Sequence, residues 1–292
     1  MRKPITLEQS DFEHIQVEKR PNGVAVLTFK RTDRDDRVNS FDDVLTREIA
    51  QLPTALQEDP EVRCAIITGS GENFSVGGDM RPTRTVTGIR STRYDLHMVE
   101  SLSLIRDYLN LDKPVLSAVK GYALGMGCTV ALLADIVIAG TSAQFGDPHI
   151  WNAGITAGDG NSALWPLLVG PQRAKYYLLT GEFVPAEEAH RIGLVHRVVA
   201  DEDVMTETLR IADRLAAGPP LAIRSTKASI QRYVNLIVEA VQPFSVAVEG
   251  FVFNTDDHIE ALAAWREKRP PEFTGLDALA RSTAEGKRAA DS

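Results

Sequence analysis

Two glycine-rich turns constrain this chain more than any other feature: Phe74-Ser-Val-Gly-Gly-Asp79 and, about 50 residues later, Gly121-Tyr-Ala-Leu-Gly-Met-Gly-Cys128. Each follows an apolar run, and a helical pattern follows at least the second. Glycine lets a backbone come close to a bound group, and a helix N-terminus presents unpaired N–H donors. Brought together, two such turns form a pocket for an anionic oxygen. The donors this pattern predicts are the backbone N–H groups of Gly78 and Met126. Met126 falls in the first turn of its helix, where the macrodipole adds partial positive charge. One donor of this kind contributes roughly 3 kcal/mol to a transition state. Either turn alone reads equally well as a tight packing site, but the ordered pair is more specific.

The elements around the turns predict an α/β fold. Gly23–Phe29, Val62–Thr68, Pro114–Val119 and Ile136–Ala139 read as strands, the second buried on both faces. Apolar spacing predicts a helix from Ser40, its expected cap, to about Leu56, and a short buried helix from Gly125 to Ala134. Residues 1–20 read as a polar lead-in. Residues 81–95 read as a polar connection carrying Arg81, Arg84, Arg90 and Arg93, followed by a helix to about Leu111. Strands alternating with helices imply a largely parallel sheet, with ligands bound beyond the strand ends. After residue 200 the pattern is helical, over 202–217, 219–237, 240–254 and 256–268. The expected organisation is an α/β core over 1–200, a C-terminal helical oligomerisation or lid region over 201–274, and a flexible tail over 275–292.

The bulk numbers exclude some functions. A net charge of −8 and 43% apolar residues describe a soluble chain with a substantial core and argue against a nucleic-acid partner. Cys64 and Cys128 lie in apolar runs and read as buried thiols, and no metal-ligand spacing is present. The N-terminus lacks a signal-peptide core, and no run of ~18 apolar residues suggests a membrane span, so a cytoplasmic location is expected.

Seven segments together resemble one family. They are the two glycine turns, Ala134-Asp-Ile136, Ala143-Gln-Phe-Gly146, Leu179-Thr-Gly181, Ala186-Glu-Glu-Ala-His-Arg-Ile-Gly-Leu-Val195 and Glu267-Lys-Arg-Pro-Pro-Glu-Phe273. In this order, over about residues 20–273, the chain resembles the crotonase (enoyl-CoA hydratase/isomerase) superfamily. The resemblance implies a crotonase-like spiral of ββα repeats with a C-terminal helical region. It implies an acyl oxygen held at Gly78 and Met126, and homotrimers or dimers of trimers. No cofactor is implied beyond coenzyme A as part of a substrate. Arg37 and Val38 match the segment that holds coenzyme A, and Lys268 matches a basic position near its nucleotide.

The chain departs from the hydratase pattern at the residues that matter for hydration. Where hydratases carry two glutamates, it has Thr129 and His149. Adding water across a double bond needs a base and an acid, and threonine supplies neither near neutral pH. Histidine, with a pKa of about 6.5, can act as a base there, and a carboxylate on its far nitrogen would orient it. Asp159 follows shortly after, so His149–Asp159 is the expected catalytic dyad. The segment Gly154-Ile-Thr-Ala-Gly-Asp-Gly-Asn-Ser-Ala-Leu-Trp-Pro166 is similar to the 6-oxocamphor hydrolase and β-diketone hydrolase branch, although the histidine-to-aspartate spacing looks one residue longer here.

Three functions are therefore weighed. The first is hydrolytic cleavage of a carbon–carbon bond in a β-dicarbonyl or β-keto thioester, a retro-Claisen reaction. The second is hydratase or isomerase chemistry on an acyl-CoA with His149 as sole base. The third is an acyl-CoA binder without catalysis. The substrate is accordingly a cyclic diketone or an acyl-CoA thioester, with Thr129 and Trp151 as candidate contacts and no metal. Trp165 and Trp151 could wall an apolar pocket or pack in the core, and His190 reads as structural.

Overall fold

The computed structural model describes residues 7–31, 38–80 and 102–275. The expected polar lead-in hides a strand. Ile15–Lys19 (β1) pairs antiparallel with Val24–Phe29 (β2), in register Ile15 with Phe29. Only Ile15 of β1 is fully buried, as suits an edge strand with a weak apolar signal. Gly23, at φ +89°, makes the turn between the two. The helix Asp43–Glu58 (α1) is capped by Asp42, not by the expected Ser40; the Asp42 carboxylate accepts from Val44 N and Leu45 N.

Cys64–Gly69 (β3), Val115–Val119 (β4) and Ile136–Gly140 (β6) continue the sheet in parallel. Arg197–Val199 (β9) closes it, giving the order β1-β2-β3-β4-β6-β9. The run of β3 is continuously apolar because both faces are covered. Cys64 and Ile66 join one core layer with Val24, Leu116 and Ile138, while Ala65 and Ile67 join the other. Val204–Ala217 (α7) covers the first layer through Val204, Ala212 and Ala216.

A second, three-stranded sheet was not anticipated. Tyr122–Leu124 (β5) pairs parallel with Gln144–Gly146 (β7), and β7 pairs antiparallel with Val184–Pro185 (β8). These strands have three, three and two residues, too short for periodicity to reveal. A helix over 102–110 (α2) precedes β4. Of the helices Met126–Leu132 (α3), Asn161–Val169 (α4), Pro171–Thr180 (α5) and Ala186–Ile192 (α6), α3 packs on β5 and α4, α4 on α5, and α6 on β8.

The two helices expected over 219–254 are one helix of 33 residues, Pro220–Val252 (α8), which runs through Pro243. Proline there gives up one ladder bond without ending the helix. By length and composition α8 is the one helix among the described residues apolar enough to cross a membrane. Its Asn235, Gln242 and Glu249 are nevertheless buried against the protein. Asp256–Glu267 (α9) follows, capped by Thr255. The architecture is thus a mixed α/β core with a C-terminal helical region. Arg37, Arg81, Arg84, Arg90 and Arg93 lie outside the described residues.

Candidate active site

The two glycine turns meet. A Cβ added at Gly77 would lie 2.6 Å from Leu124 O and 3.4 Å from Met126 N, and one added at Gly127 would lie 2.7 Å from Ser75 O. Ser75 and Ala123 form a parallel bridge between them, with Leu124 N donating to Ser75 O at 3.0 Å. Only residues without side chains permit this approach, and Gly77 also sits at φ +82°.

Hydrogen bonds to the neighbouring carbonyls set the direction of both predicted donors. Phe41 N donates to Gly77 O at 2.8 Å. In a trans peptide the N–H points opposite the C=O, so Gly78 N–H faces away from Phe41. Gly125 O accepts from Asn161 Nδ2 at 3.1 Å and from Thr129 N at 3.0 Å, which turns Met126 N–H away from Asn161. Neither N–H donates to a backbone carbonyl among the described residues. The result is two unsatisfied donors on adjoining turns, one of them at a helix start.

His149 stands beside this pair. A Cβ at Gly125 would lie 3.4 Å from both Nε2 and Cε1 of the imidazole. The expected loop at 149 is a single π-helical turn, His149–Ala153, ended by Gly154 at φ +62°. The His149 side chain is 19% exposed, so it is neither sealed nor aimed at bulk water. A histidine of α9 steadies this turn: the His258 Nδ1–Ala153 O contact is 2.6 Å.

The carboxylate nearest the imidazole is not the expected one. Asp147 Oδ1 lies 2.8 Å from His149 Nδ1, whereas Asp159 Oδ2 lies 3.8 Å from Nε2. Asp147 therefore occupies the orienting position assigned to Asp159 in the expected dyad, and Asp159 faces the nitrogen nearer the glycine turns. The physical reason is the tight turn after β7, in which His149 N donates to Asp147 Oδ1 at 3.0 Å. The Nδ1 contact is an ion pair, not a well-aligned hydrogen bond. Asn161 holds the other Asp147 oxygen at 2.6 Å, and Trp165 Nε1 donates to Asn161 Oδ1 at 3.2 Å. Asn161 thus ties the peptide behind the Met126 N–H to the carboxylate behind His149.

A fourth titratable group comes from α8. Glu249 is 2% exposed and packs on Gly158, where an added Cβ would lie 2.6 Å from Oε2. Gln242, two helical turns earlier, donates to Gly158 O at 2.6 Å. Glu249 Oε2 and Asp159 Oδ1 are buried without a hydrogen-bond partner, as is the hydroxyl of the fully buried Thr129. A Cβ at Gly160 would lie 3.2 Å from that hydroxyl, so Thr129 lines the Asp159 turn.

Burial is the largest influence on each of these groups, and their mutual charges then divide them. Burial pushes Glu249 up to about 8, and the Asp159 charge adds to it. Burial pushes Asp159 up to about 6, with His149 pulling it back and Asp147 pushing it further. Burial would raise Asp147 too, but the His149 charge and the bonds from His149 and Asn161 hold it below the usual carboxylate range. His149 is disfavoured as a cation by burial, yet Asp147 and Asp159 raise it well above its ordinary value. The charges of Asp147 and Asp159 thus favour the protonated imidazole between them, while burial favours the neutral form of Glu249 behind. By geometry alone Asp147, His149 and Asp159 could hold an ion, since their ligand atoms lie within 4.8 Å of one another.

Trp151 is 51% exposed, with Nε1 donating to Leu179 O at 3.0 Å and its ring against Gly181. Trp165 is buried in the core. Val38 O accepts from Val76 N at 3.1 Å, so Val38 lies beside the first glycine turn. Lys268 is exposed at the end of α9, at φ +55°. Cys64 and Cys128 are buried free thiols. His190 Nδ1 lies 3.3 Å from Val195 O, a structural contact.

Comparison with known proteins shows the family and the fold. Residues 19–276 match the enoyl-CoA hydratase/isomerase family profile. A crotonyl-CoA hydratase of Syntrophomonas wolfei is 35% identical over 263 residues, covering 90% of this chain and 98% of that protein. The structure of an enoyl-CoA hydratase/isomerase from Mycobacterium paratuberculosis superposes with a TM-score of 0.79 at 30% identity, covering 86% and 98% of the two chains. That of a β-diketone hydrolase from Anabaena, bound to (S)-3-oxocyclohexyl acetic acid, superposes with a TM-score of 0.76 at 29% identity, covering 84% and 96%. The chain is an enzyme of the enoyl-CoA hydratase/isomerase family, the crotonase superfamily.

Proposed function

We propose that this enzyme cleaves a carbon–carbon bond of a β-dicarbonyl compound with water. The observation that carries the proposal is the cluster of three buried carboxyl groups, Asp147, Asp159 and Glu249, around the partly exposed His149, which stands against the second of the two glycine turns. A carbonyl oxygen of the substrate accepts from Gly78 N–H and Met126 N–H. Asp159, ionised above a pKa of about 6, takes a proton from water, whose oxygen attacks the other carbonyl carbon. The tetrahedral oxyanion collapses, and the bond from the attacked carbon to the α-carbon between the two carbonyls breaks; the proton taken up by Asp159 later returns to Glu249 and resets the site. The electrons flow into an enolate whose oxygen is held by the amides. Glu249, protonated below about 8, supplies a proton to the enolate carbon, directly or through His149. One water is consumed, and the products are a carboxylic acid and a ketone. His149 enters this cycle between Asp147 and Asp159, whose charges favour its protonated form, and there it stabilises charge and relays protons.

A second function is favoured by the relatives' names. Enoyl-CoA hydration would use the same amides for the thioester oxygen, with Asp159 and Glu249 replacing the absent glutamates as base and acid. Val38 and Lys268 would then lie along coenzyme A. The deciding experiment offers purified enzyme a panel of cyclic β-diketones and crotonyl-CoA. Ring opening to a keto acid, lost in Asp159→Asn, is expected. Hydration of crotonyl-CoA with every diketone left intact would overturn the first function in favour of the second.

A further inference from the structure

The first glycine turn is held by a buried cation that the chemistry above does not use. Arg31 has a side chain only 1% exposed. Its Nη1 donates to Asp79 Oδ2 at 2.9 Å, to Ser40 Oγ at 3.0 Å and to Ser40 O at 3.2 Å, while Nη2 lies 3.1 Å from Asp42 Oδ2. These partners flank one feature, the parallel bridge between Phe41 and Gly78. Ser40 and Asp42 sit on either side of Phe41, and Asp79 directly follows Gly78. Both peptides that meet at Gly78 are bonded to Phe41, through Phe41 N to Gly77 O at 2.8 Å and Asp79 N to Phe41 O at 2.9 Å.

We propose that Arg31 is a positioning residue for the Gly78 N–H, stapling the two sides of the Phe41–Gly78 bridge together. The proposal rests on the function assigned to that N–H above. Gly77-Gly78 is the part of the backbone with the most conformational freedom to lose, and an oxyanion donor acts only when aimed in advance. A rigid planar guanidinium with several donors can fix both sides at once, which a lysine ammonium cannot do with the same geometry. The staple is anchored in turn. His14 Nε2 lies 3.5 Å from Asp42 Oδ2, and His14 N donates to Glu48 Oε2 at 3.0 Å, with Glu13 N bonded to the other Glu48 oxygen. The orientation of a catalytic amide is thereby tied to the edge strand β1.

The test is hydrogen exchange of the full chain, read by mass spectrometry on peptides covering 72–80, for Arg31→Met, Arg31→Lys and the control Lys113→Met. Lys113 is a buried cation bonded to Leu56 O and Asp59 O, outside the site. Exchange in 72–80 is expected to rise at least tenfold in Arg31→Met, to rise less in Arg31→Lys, and to stay unchanged in Lys113→Met. An unchanged rate in Arg31→Met, or an equal rise in Lys113→Met, would overturn the proposal. If Arg31→Met does not fold, Asp79→Asn gives the same reading with the shape kept. On a cyclic β-diketone, kcat should fall at least tenfold while KM changes less than threefold; a fall confined to KM also counts against it. Should the wild type leave every diketone intact, the proposed reaction fails, but the exchange data still decide the role of Arg31.

Discussion

The two walls of the site are built from different materials. One wall is backbone: Gly78 N–H and Met126 N–H, aimed by bonds to their neighbouring carbonyls and indifferent to pH. The other is side chain: four titratable groups whose proton affinities depend on one another and on burial. A main-chain amide is positioned by the fold itself, whereas a buried carboxylate keeps its role only while its neighbours hold their charges. The backbone wall should therefore respond to substitution through geometry, and the side-chain wall through charge and pH.

The largest effect should come from the centre of the side-chain wall. His149→Ala is expected to lower diketone turnover by about 10³-fold, within the range for a general acid or base, while the circular dichroism spectrum is preserved. Unchanged turnover would remove the cluster from the mechanism and leave the amides as the whole of the site. Next in size is Glu249→Gln, expected to cost about 10²-fold in kcat and to remove the basic limb of the pH profile expected from a carboxyl that burial pushes up to about 8.

The same substitution distinguishes the walls by stability. The folded pKa of Glu249 is raised, so folded protein binds its proton more tightly than unfolded protein does. Stability from this group is full below the ordinary glutamate range and is lost as pH rises towards about 8. Glu249→Gln should therefore be more stable than wild type at pH 9, with the gap closing by pH 4, as measured by urea unfolding. An equal gap at both pH values would show that Glu249 is not buried as a proton carrier.

On the backbone wall the contrast is between adjacent glycines. Gly77→Ala should cost roughly 2 kcal/mol or more, from a left-handed φ and a Cβ 2.6 Å from Leu124 O. Gly78→Ala should change stability by less than about 0.5 kcal/mol, because its Cβ would enter open space. Equal costs in chemical denaturation would mean that the turn is not strained as described. Between these two lies the cap of α9, where Thr255→Ala should cost about 1 kcal/mol by removing the acceptor for His258 N.

How much of each wall was legible in the sequence follows from its material. Glycine turns are local patterns, and Gly78 and Met126 could be named from them. The central strands were legible because burial on both faces leaves continuous apolar runs. Strand β1 was not, since an edge strand alternates among polar residues. His149 and Asp159 were visible by resemblance, but their arrangement was not. Asp147 reaches the imidazole through a two-residue turn that no periodicity marks. Asn161 and Glu249 were missed altogether. A polar residue on the buried side of a helix is the only local signal for either, and Glu249 lies about ninety residues beyond the loop it meets. The length of α8 was misjudged for a related reason, since proline weakens a helix without always ending it.

The placement of Glu249 on α8 also bears on how such a protein changes over time. In the proposed reaction the proton donor is lodged on a separate helix, so a single codon change could exchange or discard it while the two glycine turns stay as they are. New reactions would then arise by altering where protons are delivered, with the grip on the carbonyl inherited intact.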